Sequence, residues 1–397
     1  MFKLFLFDEY IGNLFVEQKN GKETFSFEFS SDYLSKHDKL VIDPALRLYA
    51  GRQYSEGVFG FVSDLIPDRF GKALLKEKER QRSLKENRIP KKLTTLDYIL
   101  GVNDLTRMGA IRIQNEEERF VSDDKENVVP PYIYLRDIEQ ASLKFENSGA
   151  FESDKYRRLL LPGSSLGGAR PKANIYYSDE IWIAKFPSRN DTYDVEAWEK
   201  IIYDLAGLCA INVSESKIES YSKLGSTLLI KRFDRDKNKR IHYISFMTAL
   251  NANDGDSGDY SYLDLVSYIR SSCDDIDKNL TELYKRNVFA YLVNDTDNHL
   301  RNHGLLFDGC KLMLAPMFDV NPSFESDRFG LSLTSGTINK NAIINESKYY
   351  NIKKEDAIII YDNMVKTIGE NFIKTANKYK VRTREIELFT KIFESRK

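Results

Sequence analysis

No stretch of the 397 residues stays apolar for the roughly 20 positions that a bilayer-crossing helix needs. The opening MFKLFLF breaks off at Asp8-Glu9, too soon for a secretory leader. Cysteine is scarce. Cys209, Cys273 and Cys310 are odd in number and widely spaced, which excludes a disulfide framework and a paired-cysteine metal site. With only 4 histidines there is no second His–carboxylate cluster for zinc. An excess of either charge is missing too: 59 Lys and Arg against 60 Asp and Glu leave −1. A chain that binds nucleic acid in bulk is more basic, so any such contact is local or supplied by a partner. There is no internal repeat. The expectation is a folded protein of the reducing cytoplasm, without a membrane partner.

What is present is patterned. Residues 1–60 read as β-rich, with strands over Lys3–Phe7 and Asn13–Val16 around Tyr10-Ile11-Gly12, and a half-buried strand over Thr24–Phe29. From Phe61 the spacing of Val62, Leu65, Ile66 and Phe70 is helical, with a turn expected at Pro67-Asp68 and a solvated face over Lys76–Lys85. Further helices are expected over Thr94–Leu100 and Asp137–Glu146, a strand over Gly109–Ile113, and a surface loop over Asp123–Asn127. The segment Gly163–Lys172, GSSLGGARPK, is the one concentrated Gly/Ser run. Strands follow over Ala173–Tyr177 and Ile181–Phe186, then a helix with Trp198, Ile201, Ile202, Leu205 and Cys209 on one face, then a strand over Thr227–Phe233. Beyond Tyr243 the pattern is mostly helical, including Asp356–Gly369 and Arg382–Phe393. The acidic loop Asn253–Asp259 lacks the closing glutamate of an EF-hand, Leu265 standing in its place.

The chemistry concentrates in Tyr291–Pro322. Asp297 and Asn302 are five apart, the spacing with which a phosphoryl-transfer loop orients an acceptor hydroxyl and reaches a metal ion. Asp319 follows an expected hairpin, Gly304–Phe307 with Leu312–Leu314, where a second carboxylate would hold that metal from the other side. His299 reads as a brace or a phosphate-facing group. In the glycine run, Gly167 and Gly168 would let backbone N–H groups approach phosphates. Gly163 and Gly168 have Walker A spacing, but Ala169 stands where lysine should follow, and a linker is the competing reading. A phosphate loop of the kinase kind would join two strands. Lys185 ends an apolar strand, and Glu199 or Glu196 on the next helix is its candidate partner.

Together these residues resemble the HipA family of bacterial toxin Ser/Thr kinases across nearly the whole chain. Gly60–Lys72, with its Leu-Ile-Pro-Asp-Arg, is similar to that family's N-terminal subdomain, Gly163–Lys172 to its glycine loop, Asn294–Gly304 to its catalytic loop, and Pro316–Ser323 to its D-F-G equivalent. The resemblance implies an α+β, two-lobed, protein-kinase-like fold: an N-terminal subdomain over 1–115, a kinase N-lobe over 116–242 and a helical C-lobe over 243–397. It implies Mg²⁺ and ATP, with Asp297 catalytic and Asn302 and Asp319 on the metal. Nucleotide contacts fall on Gly167, Gly168, Ala169, Arg170, Lys172, Lys185, Glu199 and His299, and on the backbone of Lys231–Phe233. Lys231 departs from an acidic residue found there in some relatives. Regulatory autophosphorylation falls on Ser165, with Ser164 beside it. The implied partners are a protein bearing the Ser/Thr acceptor and a small helix-turn-helix antitoxin, with DNA reached only through the antitoxin. A small-molecule phosphotransferase and a non-catalytic repressor partner are the alternatives.

Overall fold

Phenylalanine, leucine and isoleucine at alternate positions set the first sheet. In the computed structural model, which describes residues 1–397 except 20, 39–41, 56, 123–128, 166, 167, 169, 238 and 254, the chain begins with β1 (Phe2–Leu6), β2 (Glu9–Lys19) and β3 (Lys22–Phe29). The side chains of Ser164, Ser257 and Gly258 also lie outside the description. The expected surface loop Asp123–Asn127 falls among the undescribed residues. After α1 (Ser31–Lys36), β4 (Gln53–Tyr54), α2 (Gly60–Ser63), α3 (Arg69–Lys85) and α4 (Thr95–Gly101), β5 (Ile111–Gln114) completes an antiparallel sheet of order β4-β3-β2-β1-β5. Leu4, Leu6, Leu14, Phe25, Phe27 and Ile113 form its core.

Two expectations change here. The break expected at Tyr10–Gly12 lies at Phe7-Asp8, and β2 runs straight through. Gly12 is needed for a different reason: a Cβ there would meet the Glu28 carbonyl oxygen at 2.1 Å, beside a register shift in β1. The solvated face expected over Lys76–Lys85 is only partly solvated. Glu77 and Glu79 are buried, held by Arg80 and Arg88, because α3 turns that side toward Phe151. Pro67-Asp68 does separate α2 from α3.

The chain continues through α5 (Leu135–Ser148), α6 (Asp154–Leu160) and a 3-10 turn (Leu161–Ser165) into β6 (Lys172–Tyr177) and β7 (Glu180–Lys185). The glycine run therefore links a helical turn to a strand, not two strands. Then come α7 (Val195–Leu208), β8 (Ser216–Glu219), β9 (Thr227–Lys231), a short hairpin of β10 (Arg235–Asp236) and β11 (Lys239–Arg240), and β12 (His242–Ser245). Next are α8 (Phe246–Ala249), α9 (Tyr262–Ser272), α10 (Ile276–Val293), β13 (Gly304–Phe307) and β14 (Leu312–Leu314). The chain closes with α11 (Lys340–Glu346), α12 (Lys354–Lys378) and α13 (Thr383–Glu394). Helix α12 is 25 residues long and outruns the expected Asp356–Gly369, because Phe372 and Ala376 extend its buried stripe by two turns.

The residues sort into two compact units. One comprises 1–190, 229–244 and 307–309; the other comprises 191–228, 245–306 and 310–397. Within the first, β6, β7 and β9 are neighbours in that order. Within the second, α10 is the central helix, burying Leu280, Leu283, Tyr284, Val288, Phe289 and Leu292. Helix α7 belongs to this second unit, where Trp198 is fully buried against Phe324, Phe372 and Phe389 and donates its indole N–H to Glu385 at 2.8 Å. Truncating such a side chain costs about 3–5 kcal/mol.

Candidate active site

Helix α10 stops because Asn294 takes the left-handed conformation at φ 58°, ψ 47°, which asparagine tolerates better than most residues. Its side chain then organises the loop beyond the helix. The Asn294 amide donates to the carbonyls of Ser323 (2.7 Å) and Ser326 (2.9 Å), and Ser323 N–H returns a bond to the Asn294 carbonyl (2.9 Å). Arg396 clamps the same asparagine, donating to Asn294 Oδ1 at 2.7 Å. The segments before Asp297 and after Asp319 are thereby joined.

Asp297 lies on this loop with 87 % of its side chain exposed. Its neighbours are fixed. Asn298 donates to the Tyr262 hydroxyl at 2.9 Å and pairs with His303, and Gly330 N–H donates to the Thr296 carbonyl at 2.9 Å. Asn302, in a 3-10 turn, donates its amide to the Asp297 carbonyl at 2.8 Å. That bond uses the donor side of the amide and leaves its oxygen as the atom suited to a cation. His299 Nε2 is 3.9 Å from Asp297 Oδ1. Asp319 adopts φ 56°, the left-handed region, in the bend after β14.

The electrostatics of these acids are shared. Partial desolvation pushes the Asp297 carboxyl above its ordinary range; His299 opposes this and Asp319 adds to it. Solvent screens part of that shift because the carboxyl is open. Two positions earlier stands Asp295, a residue that motif spacing passes over. It is 5 % exposed. Burial drives its carboxyl well above the usual carboxylate range, the Asn321 N–H pulls the other way, and the charges of Asp297, Asp319 and Glu199 raise it further. Among the described residues its Oδ1 has no hydrogen-bond partner. Asp295 also lines a cavity of about 10 Å³ with Asn298, Asn302, His303 and Arg286, room for one water. No periodicity marks Asp295, because α10 ends at Val293 and the left-handed Asn294 takes it off the helix face. Glu196 and Glu199 are both buried on α7, and Glu199 is the one whose charge reaches Asp295.

The first unit holds the remaining candidates. Lys172 and Lys185, both buried, are direct cross-strand partners on β6 and β7. Like charges directly opposite are unfavourable in a sheet, and both lysines have further interactions that offset this. Gly168 N–H donates to the Asp68 carboxylate, so the aspartate of the early Pro-Asp-Arg segment holds the glycine run. Arg170 follows, half-buried; Gly167 and Ala169 lie outside the described residues. Ser165 accepts a bond from Asn174 Nδ2 at 3.1 Å, and the side chain of Ser164 is not described. Lys231 directs its ammonium to Glu180 at 2.7 Å, so a lysine fits here with its side chain turned toward β7. Phe233 packs on Tyr243.

Could these residues hold Mg²⁺? The donor set, the Asp319 carboxylate and the Asn302 amide oxygen, is of the hard oxygen type that this ion takes. Among the described residues no three His, Cys, Asp or Glu side chains gather as a complete site. A partial shell finished by phosphate oxygens matches the way Mg²⁺ binds beside nucleotides.

Residues 164–378 match the model of the HipA-like C-terminal domain. A Sinorhizobium fredii protein named "Putative kinase Y4dM" is 25 % identical over 319 residues, covering 74 % of this chain and 71 % of that one. Among solved structures, the HipA of Shewanella oneidensis MR-1, determined with HipB and operator DNA, superposes with a TM-score of 0.67 at 15 % identity over 99 % of this chain and 95 % of its own. The likeness in fold runs the full length of the chain.

Proposed function

The chain belongs to the family that carries the HipA-like C-terminal domain, and from that premise we propose that it is a Mg²⁺-ATP-dependent kinase acting on a serine or threonine hydroxyl of another protein. The observation that carries the proposal is the loop holding Asp297 and Asn302. A solvent-open carboxylate and a locked amide oxygen share one turn, beside a second acid at Asp319. An exposed base suits an acceptor delivered by a large partner.

In this reading Asp297 orients the acceptor hydroxyl and takes its proton as the oxygen bonds to the γ-phosphorus and the bridge to the β-phosphate breaks. Asp319 and Asn302 hold Mg²⁺, which when bound neutralises charge on the phosphoryl oxygens. Lys172, Lys185 and the glycine run from Gly167 to Arg170 would bind the phosphates, and the backbone of Lys231–Phe233 the adenine. His299 tunes Asp297 from 3.9 Å. Residues 1–115 form an appended subdomain, 116–242 the nucleotide-handling part and 243–397 the catalytic part. Phosphorylation of Ser165 is the proposed off switch, because two negative charges there would repel the triphosphate.

The proposed setting is a toxin–antitoxin pair in the cytoplasm, with a small DNA-binding antitoxin as partner. Support comes from the full-length likeness in fold to a HipA seen with HipB and operator DNA, and from a net charge of −1 that leaves DNA contact to a partner. No helix among the described residues is long and apolar enough to cross a membrane. The test incubates the purified chain with γ-labelled ATP, Mg²⁺ and cell lysate. A labelled protein band bearing phosphoserine or phosphothreonine is expected; label only in a metabolite, or none at all, overturns the proposal.

A further inference from the structure

Largely buried inside the first unit is a polar lattice that the reaction does not require. Arg232, 2 % exposed, binds the Asp234 carboxylate with Nε and Nη2 at 2.8 and 2.7 Å. Its Nη1 donates to the Thr106 carbonyl at 2.8 Å and to Asn174 Oδ1 at 2.9 Å. Asp234 also accepts the Gly109 N–H at 2.7 Å and Arg235 at 2.7 Å. Arg235 reaches the Leu105 and Arg107 carbonyls at 3.1 and 2.6 Å, and Arg240 the Asp104 carbonyl at 2.6 Å. Loop 104–109, the entry to β5 of the N-terminal sheet, is thus tied to 232–240 by three guanidiniums. A Cβ on Gly109 (φ +70°) would meet the Tyr243 backbone nitrogen at 2.8 Å, so loop 104–109 and β12 approach as closely as backbone allows.

Arg232 stands between Lys231 and Phe233, the peptides assigned to adenine, and its own N–H is bonded to Ile181 of β7 at 3.2 Å. On its other side Asn174, fully buried in β6, passes the connection on. Its Nδ2 donates to the Pro162 carbonyl at 2.8 Å and to Ser165 at the foot of the glycine run. Two side chains therefore span from the backbone assigned to adenine to the phosphate loop, and the first of them, Arg232, is anchored to loop 104–109. A guanidinium is suited to this because its planar fork fixes several acceptors at once, which a lysine cannot do.

We propose that Arg232 is a positioning residue for nucleotide recognition, and that loop 104–109 of the N-terminal subdomain serves as its anchor and so belongs functionally to the nucleotide site. The proposal rests on the ATP reading given above. In that reading the Arg232 side chain, held by Asp234, Thr106 and Asn174, touches no nucleotide; it fixes the register of the peptides that do.

The experiment titrates Mg²⁺-ATP and Mg²⁺-GTP into the full chain and its Arg232→Lys variant, with turnover at saturating ATP measured alongside. Wild type must bind ATP in preference to GTP; if it binds neither, the kinase reading fails first and this proposal with it. In the variant, the ATP Kd is expected to rise about tenfold and the preference over GTP to shrink at least about threefold, with kcat changed less than about threefold. A wild type that binds ATP beside a variant that binds it equally well overturns the positioning role alone. Equal losses toward ATP and GTP overturn it too, since they report general loosening. Should Arg232→Lys fail to fold, Asn174→Leu keeps the Arg232–Asp234 pair while cutting the path to Ser165. It is expected to weaken ATP about threefold, and unchanged affinity there is equally fatal.

Discussion

In the first unit, Arg232, Arg235 and Arg240 bind the carboxylates of Asp234 and Asp104 at 2.7–3.0 Å. In the second, Asp297, Asp319 and Glu199 act on Asp295, and Asp319 acts on Asp297 with the His299 imidazole beside it. Burial would raise the Asp234 carboxyl, yet Arg232 and Arg235 hold it far below the carboxylate range. Burial raises Asp295 and its neighbours raise it again. Opposite charges that satisfy each other make a finished structure, costly to interrupt and silent toward solutes. Acids that raise one another's carboxyls, as at Asp295 and Asp297, favour a proton or a cation nearby instead. That contrast separates architecture from function without reference to sequence motifs.

The largest expected effect breaks the acidic side. Asp297→Asn should lower phosphotransfer by about 10²–10⁴, the range for a general base, while ATP affinity stays within about twofold. Retained turnover would remove Asp297 from the mechanism. Next, Asp319→Ala should weaken Mg²⁺-dependent nucleotide binding by more than about a hundredfold, since the site loses its charged ligand. Calorimetry with and without Mg²⁺ checks this, and equal affinities in variant and wild type would move the metal elsewhere.

On the finished side, Asp234→Ala leaves two buried guanidiniums without their carboxylate and should cost about 3–5 kcal/mol in denaturant unfolding. A loss below about 1 kcal/mol, the worth of a surface pair, would mean the lattice is not an integral part of the fold. The smallest effect has the opposite sign. Asp295 has a raised folded-state pKa, so the folded chain holds a proton that the unfolded chain releases above about pH 4. Its contribution is then fully favourable below that value and is lost as pH rises toward the folded pKa. Asp295→Asn carries no such term: the variant should melt higher than wild type at about pH 7, and the two curves should converge in acid. Parallel curves would show that Asp295 is ionised in place.

Local chemistry was legible in the sequence, and long-range chemistry was not. The order of strands and helices, the stop of α10 before the loop and the Asp297–Asn302 spacing depend on neighbours a few positions away. The family resemblance and the α+β kinase-like fold rest on those same segments, and the family match and full-length fold likeness agree with them. The Arg232 lattice joins residues about 125 positions apart, and no periodicity announces it. Charged α3 residues looked solvated because Phe151, which bonds Glu77, and Arg88, which bonds Glu79, lie beyond the helix. Asp295 was hidden by its better-spaced neighbour, and it lies past the left-handed Asn294, off the α10 periodicity.

Arg396 holds Asn294 from 102 positions further along the chain, and Tyr361 in turn holds the Arg396 carbonyl. A ribosome delivers the chain from its N-terminus, so the loop bearing Asp297 is made early and its clamp late. While a nascent chain lacks residue 396, the turn that joins the two acidic segments is missing one of its fastenings. The loop bearing Asp297 is therefore timed by synthesis: its final geometry waits until Arg396, just past α13, has emerged and docked. In the kinase proposed above, the loop assigned to phosphotransfer would stay incompletely fastened on the ribosome, through the order in which its parts are made.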